Sequence, residues 1–109
     1  MTGNDIIQDV RPIVKDLTGS IWSPAEIMQK INIARRRIFL DRVEAFWTDE
    51  NGAVTTMPDD IALTDRTDDL EMEESYRAAV KHHVGYQLLL EKDPKAAAEQ
   101  LQLYSASIG

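Results

Sequence analysis

The residue types in this 109-residue chain that invite chemistry are few. They are two adjacent histidines (His82 and His83), three consecutive arginines (Arg35, Arg36 and Arg37), and the paired acids Asp59-Asp60 and Asp68-Asp69. Neighbours on a helix point about 100° apart, so His82 and His83 cannot grip one metal as an i, i+4 pair would. The acid pairs could act as acid and base or hold a divalent cation. No D-x-D-x-D-G loop frames them, however, and no nucleophile with a base at recognisable spacing accompanies them. They read as solubilising loop carboxylates. The chain has no cysteine, which removes thiolate nucleophiles, disulfides and thiolate-held zinc or iron-sulfur centres together. We expect no catalytic residue, no metal ligand and no cofactor site.

The arginine run suggests nucleic acid first. Three consecutive helical positions fan around most of the circumference, so at most two can follow one phosphate track, and no aromatic platform for bases is interleaved. The whole chain carries a net charge of -7, which opposes sequence-independent phosphate binding. That charge is uneven. Residues 1–43 hold seven basic and five acidic side chains, residues 44–74 one and eleven, and residues 75–109 four and three. A basic helix thus precedes an acidic middle segment, and a solvated face or a protein interface is the expected use of both. A small DNA-binding or antitoxin-like regulator is the alternative reading, although "SPAE" and the long helix after it lack the glycine turn between two short helices of a helix-turn-helix.

Composition bounds what can position these groups. With 43% apolar residues, five glycines and four prolines, the chain should form one compact domain over 1–109. No apolar run is long enough to span a bilayer and the first residues lack a basic segment followed by an apolar one, so we expect a protein made in the cytoplasm without a membrane partner.

"NDIIQDVRPIVKDL" spaces Ile6, Ile7, Val10, Ile13, Val14 and Leu17 by threes and fours, predicting an amphipathic helix capped by Asn4 or Asp5. Pro12 should kink or break it, and Gly19 should close it. In "WSPAEIMQKINIARRRIF", Ser23 and Glu26 form a capping box with Pro24 at the first helical position. The helix should run to about Arg42, burying Ile27, Ile31, Ala34 and Ile38. Trp22 should staple onto Ile27, while Asn32, bordering the apolar stripe, needs a hydrogen-bond partner such as loop backbone. The helical period then stops. "ENG" reads as a turn between two short strands, "AVTTM" and "IALTD", with Pro58 at a strand end and Trp47 and Met57 either closing the core or making a contact. "LEMEESYRAAVKHHVGYQLLLEK" restores the helix, and "KDP" opens a last one with Asp93 as cap and Pro94 first, carrying Ala97, Ala98, Leu101, Tyr104, Ser105 and Ile108. The last two helices should lie antiparallel. The expected fold is mainly α, a small bundle of three to four helices with a short hairpin or extended loop inserted at about 44–70.

Taken in order, "KDL" closing the first helix, "WSPAEIMQKINIARRRIF", "MPDDI" and "YRAAVKHHVGYQLLLEKDPKAAAEQLQLYSA" resemble the small head-to-tail connector, or adaptor, proteins of tailed bacteriophages. The likeness rests on Trp22, Ser23, Ile31, Asn32, Ala34, Pro58, Asp60, Tyr86, Asp93, Ala97 and Tyr104, with Met57 where leucine is more usual before that proline. The resemblance implies a structural virion protein of the neck, not an enzyme. Copies would form a homo-oligomeric, dodecameric ring beneath the portal protein, a tail or tail-completion protein would dock below, and viral DNA would pass through the channel without sequence-specific binding. The chain stops soon after the last helix pair, so a long portal-embracing arm is not expected. In such a ring Arg35, Arg36, Arg37 and Arg42 would face carboxylates of residues 44–74, Asp59 and Asp60 among them, on a neighbour or on the portal, with Trp47 and Met57 close by; the acidic segment would equally suit the lining of the DNA channel, where repulsion keeps the duplex from sticking.

Overall fold

The computed structural model describes residues 1–46, 57 and 59–109. Among these residues four helices carry the fold: α1 (Gly3–Val14), α2 (Pro24–Asp41), α3 (Arg77–Leu89) and α4 (Pro94–Ile108), with short 3-10 turns at Val43–Ala45 and Glu74–Tyr76. No strand occurs among the described residues, only isolated bridges pairing Thr2 with Asp69 and Phe46 with Met72. This is the small helical bundle that the apolar spacing predicts.

α1 begins one turn earlier than expected. Thr2 is its cap, accepting from the Asp5 N–H, while the Asp5 carboxylate accepts the Thr2 N–H at 2.9 Å. Asp5 therefore closes a capping box from the third helical position instead of being the cap. The helix also runs through Pro12 without a break. Proline there forfeits only the bond to Gln8 one turn from the end, and Lys15, left-handed at φ 57°, closes the helix with its N–H on Arg11 and Pro12 carbonyls. Gly19 (φ 74°) instead turns the following loop. That loop is organised around Asp16, a carboxylate buried at 2% exposure. It accepts the Ile21 and Trp22 N–H groups at 3.1 and 2.9 Å and pairs with Arg11 at 3.0 Å, and Arg11 also donates to the Trp22 carbonyl. The N–H donors and the guanidinium outweigh burial and hold the Asp16 carboxyl below its usual range.

α2 starts with the expected capping box, Ser23 Oγ accepting from Glu26 N–H and Glu26 Oε1 accepting from Ser23 N–H. It ends at Asp41 with Arg42 as cap. α3 is the central helix and packs on α1, α2 and α4. A Cβ at its Gly85 would come within 3.1 Å of Ile13 and 3.5 Å of Gln100, so glycine lets α1 and α4 approach the same turn of α3. Asp93 caps α4, accepting from Ala96 N–H at 3.2 Å. Gln100 of α4 meets Gly85 and Tyr104 meets His83, so α3 and α4 run antiparallel across their short connection.

The core is shared by all four helices. Ile6, Val10, Ile27, Met28, Ile31, Ile38 and Val80 are fully buried, each contributing roughly 1.5–3 kcal/mol relative to exposure. The middle segment departs from expectation. Residues 61–65 form a turn, with Asp65 N–H on the Ala62 carbonyl at 2.9 Å, rather than a second strand. Most of "AVTTM" lies outside the described residues. Leu70 and Met72, expected at the start of the third helix, are buried in a non-helical stretch, with Glu71 left-handed at φ 60° between them, that runs between Met1 and Ala45, whose carbonyls accept from Leu70 and Glu73 N–H at 3.0 and 2.8 Å. Backbone partners from distant segments hold that stretch out of the helix, and α3 proper starts seven residues after Leu70. No described helix is long and apolar enough to cross a membrane.

Candidate functional site

The segment after residue 58 is strapped along α2, and Asn32 is the buckle. Its Nδ2 donates to the Ile61 carbonyl at 2.9 Å and its Oδ1 accepts the Ile61 N–H at 3.0 Å, so a buried amide finds the loop backbone its position demands. One turn on, the three arginines separate into three environments.

Arg35 is at 0% exposure. Its Nη1 donates to the Asp59 carbonyl at 3.0 Å and, at the long limit of 3.5 Å, to Asn32 Oδ1, while the guanidinium lies 5.8 Å from the Phe46 ring centroid. Nε and Nη2 have no hydrogen-bond partner among the described residues. Burial pushes this guanidinium below the usual arginine range, against the attraction of Glu71 and Asp60. Arg35 therefore belongs to the interior and offers no face to another protein, contrary to the expectation. The helical count that sets Arg35 beside the Ile27–Ile31–Ala34–Ile38 stripe, together with Met28 and Phe39, agrees with this burial.

Arg36 is exposed and makes a two-pronged ion pair with Asp60 of the strapped loop through Nε and Nη2. Arg37 pairs with Asp41 one turn on at 2.9 Å, and Arg42 sits 3.9 Å from Glu44. The basic helix and the acidic segment thus meet within one chain. Asp59 and Asp60 are exposed, Met57 is half-buried against the core, and Trp47 and Pro58 lie outside the described residues.

Asp41 leads to a second cluster. Tyr104 Oη donates to Asp41 Oδ2 at 2.6 Å, and His83 packs edge-on against Tyr104 and Tyr86 with centroids 4.9 and 5.7 Å away. Gln87 Nε2 donates to His83 Nδ1 and to the Lys30 carbonyl, both at 3.0 Å, which leaves the ring proton of neutral His83 on Nε2. Each titration is held away from neutrality. Burial, with Arg37 adding to it, drives His83 down to about 4, burial and the Asp41 bond push the Tyr104 phenol far up, and the Tyr104 and Arg37 bonds hold Asp41 down. The arrangement joins α2, α3 and α4 and holds its protons in place. His82 points elsewhere, its Nδ1 within 2.8 Å of Gln100 Oε1. Among the described residues no group of three or more His, Asp or Glu could hold a metal ion.

Grooves flank α2 on both sides of the strap. One of about 420 Å³ lies between the Ile33 face of α2 and residues 60–63; another of about 380 Å³ shares Asp60, Ile61 and Ala62 with it and is lined further by Asp59, Asp68, Asp69 and Glu71. A third, about 400 Å³, lies at the opposite end of α2, between Trp22 and the end of α3. Missed by the sequence reading were the Arg11–Asp16 lock and a bidentate pair in which Arg77 holds Asp9 at 2.7 and 3.1 Å. Both join residues across a loop or across 68 positions, and no local spacing marks them.

No family model, curated protein or solved structure matches this chain.

Proposed function

We infer that the chain is a structural ring subunit of the connector type, joining a phage portal to the tail, and that it acts by presenting surfaces to copies of itself and to neighbouring rings. The observation that carries this reading is the strap: Asn32, Arg35 and Arg36 tie an acid-rich loop along a long helix, so that its carboxylates line an outward groove. Support also comes from the helical bundle itself and from the order of elements on which the resemblance to connector proteins rests. The functional groups found serve packing, since His83, Tyr104 and Arg35 are buried and mutually satisfied or enclosed.

The decisive experiment is the native mass of the purified chain, alone and mixed with the portal ring from the genome that encodes it. A ring-sized assembly, or a defined complex with the portal, is the expected result. A chain that stays monomeric and ignores the portal overturns the reading, as does salt-dependent retardation of duplex DNA in a gel shift, which would point to the regulator class.

A further inference from the structure

The acid-lined groove beside the strap holds two demands that the subunit leaves unmet. Its lining, around about 380 Å³, includes Asp59, Asp60, Asp68, Asp69 and Glu71, with Arg35 the single cationic residue among them. Asp60 is taken by Arg36, and Asp69 lies 3.4 Å from the N-terminal ammonium. Asp59, Asp68 and Glu71 have no ion pair among the described residues. Those three carboxylates against one guanidinium leave the groove with an excess of negative charge. Crowding shows at its edge, where the neighbouring Asp68 carboxyl holds that of Asp65 above its usual range.

The second demand is that of Arg35 itself. Its Nε and Nη2 are buried with no acceptor among the described residues, and a buried donor without an acceptor is costly. The guanidinium, not the stem, meets the groove: Nη1 donates to the Asp59 carbonyl at 3.0 Å, and Glu71 and Asp60, both lining residues, are the carboxylates that act on its charge. These demands select an occupant. An anion would serve the guanidinium but face the carboxylates. A bare cation would serve the carboxylates but bring the guanidinium no acceptor, and among the described residues no group of three or more His, Asp or Glu could hold a metal ion. A lysine or arginine residue within a polypeptide carries both a cationic head and, a side chain's length away, a main-chain carbonyl. The volume lies at the small end of ligand pockets, roughly 300–1,000 Å³, so a short extended segment fits where a helix would not. In the adjoining groove Ile33 and Leu63 are partly exposed and offer an aliphatic stem a surface, while the cation there, Arg36, is already held by Asp60.

We propose that this groove binds a short basic segment of a partner polypeptide, whose lysine or arginine side chain enters among Asp59, Asp68 and Glu71 while a main-chain carbonyl of the same segment accepts from Arg35. Arg35 is closed over in the unbound chain, so the exposed Asp59 and Glu71 side chains move aside as the cation enters. The inference rests on the ring-subunit reading for the partner being a neighbouring protein, and it deepens that reading by naming the chemistry the neighbour presents.

The test titrates the full-length, isotope-labelled chain with a blocked pentapeptide of alternating glycine and lysine, following amide and arginine Nε–H resonances. The expected result is a saturable shift at Asp59, Ile61, Asp68 and Glu71 and at the Arg35 Nε–H, with a Kd on the order of a millimolar that weakens as salt is raised. D68N/E71Q, confined to exposed side chains, should weaken binding about fivefold or more, whereas E91Q/E99Q, which removes the same charge from exposed positions elsewhere, should not. Spermidine and calcium, cations without a carbonyl, should leave the Arg35 signal in place. The proposal is overturned by the absence of a saturable shift, by equal weakening in E91Q/E99Q, by an Arg35 signal that follows spermidine as far as the peptide, or by calcium binding the groove more tightly than the peptide. Should D68N/E71Q unfold, the Arg35 signal of the unaltered chain and the spermidine comparison decide. A chain that binds the peptide yet stays monomeric and ignores the portal keeps this groove and defeats the ring-subunit reading; a ring or portal complex that forms while the peptide goes unbound does the reverse.

Discussion

Tyr104 of α4 donates a 2.6 Å hydrogen bond to Asp41 at the last turn of α2, a direct polar tie between the two helices. Both ends matter: Asp41 is also held by Arg37 and Tyr104 is also covered by His83. Removing the hydroxyl by Tyr104→Phe keeps the ring in place and strips a charged acceptor of one donor, which costs about 1–2 kcal/mol. Urea denaturation should show a lower midpoint with unchanged slope. A midpoint equal to the parent's would mean that solvent replaces the phenol freely.

Acid should weaken the fold in two stages, of which the first belongs to His83. Its folded value of about 4 lies below the free value of 6.5, so the unfolded chain takes up a proton that the folded chain refuses. Stability conferred by neutral His83 is intact above pH about 6.5, falls as pH drops toward 4, and is lost fully below that. The loss is on the order of 3 kcal/mol. Groups facing the ring are Arg37, which reinforces the neutral form, and Asp41, which opposes it. Asp16 and Asp41, both held below the usual range, add a second loss only as pH falls below the ordinary carboxylate value. Replacing His83 by Phe should flatten the stability profile between pH 6.5 and 4 while leaving the lower stage; an unchanged slope would place the titration elsewhere.

Arg35 makes a prediction opposite to intuition about charged residues. With Nε and Nη2 unpartnered among the described residues, the buried guanidinium bears a desolvation cost that its contacts to Asp59 and Phe46 offset only in part. Arg35→Met, of similar length and apolar, should be neutral or stabilising. Arg35→Ala should lose about 2–4 kcal/mol by leaving a cavity, and Arg35→Glu should prevent folding altogether. Reversal at exposed Arg36 breaks a surface pair and should cost about 1 kcal/mol or less. Thermal melts of the four variants distinguish these outcomes, and a clear loss in Arg35→Met would show that the charge itself holds the loop.

Much of this was legible from residue order and some was not, for physical reasons. Caps at Ser23 and Asp93 and the extent of α2 depend on short-range spacing, which periodicity reads directly. The amide of Asn32 was predictable as a need, since a buried amide must find partners, and loop backbone supplied them. Of the arginine run only Arg35 departs from the expected contact: the fan of neighbouring positions turns it inward beside the apolar stripe while Arg36 and Arg37 stay out. Nor could local pattern show that the acidic segment folds back on its own helix. Pairing across 24 positions is a tertiary fact, and it converts an apparent intermolecular complement into an internal one.

Asn32 offers the sharpest test of the strap because it can be cut without touching the charges. Asn32→Leu is close in volume but leaves the Ile61 N–H and carbonyl without their partner. Those groups are part-buried, so the loss should be about 1–3 kcal/mol, felt locally more than globally. Exchange of the Ile61 amide, slow in the parent, should approach that of an open loop, and limited proteolysis should cut first within residues 59–66. α2 itself should persist, since its capping box at Ser23 is untouched; Ser23→Ala, in contrast, should cost about 1 kcal/mol by fraying the first turn while leaving the strap in place. The two variants thus separate the helix from the loop it carries. If Asn32→Leu leaves Ile61 exchange unchanged, then Arg35 and Arg36 alone suffice to hold the acidic groove in position.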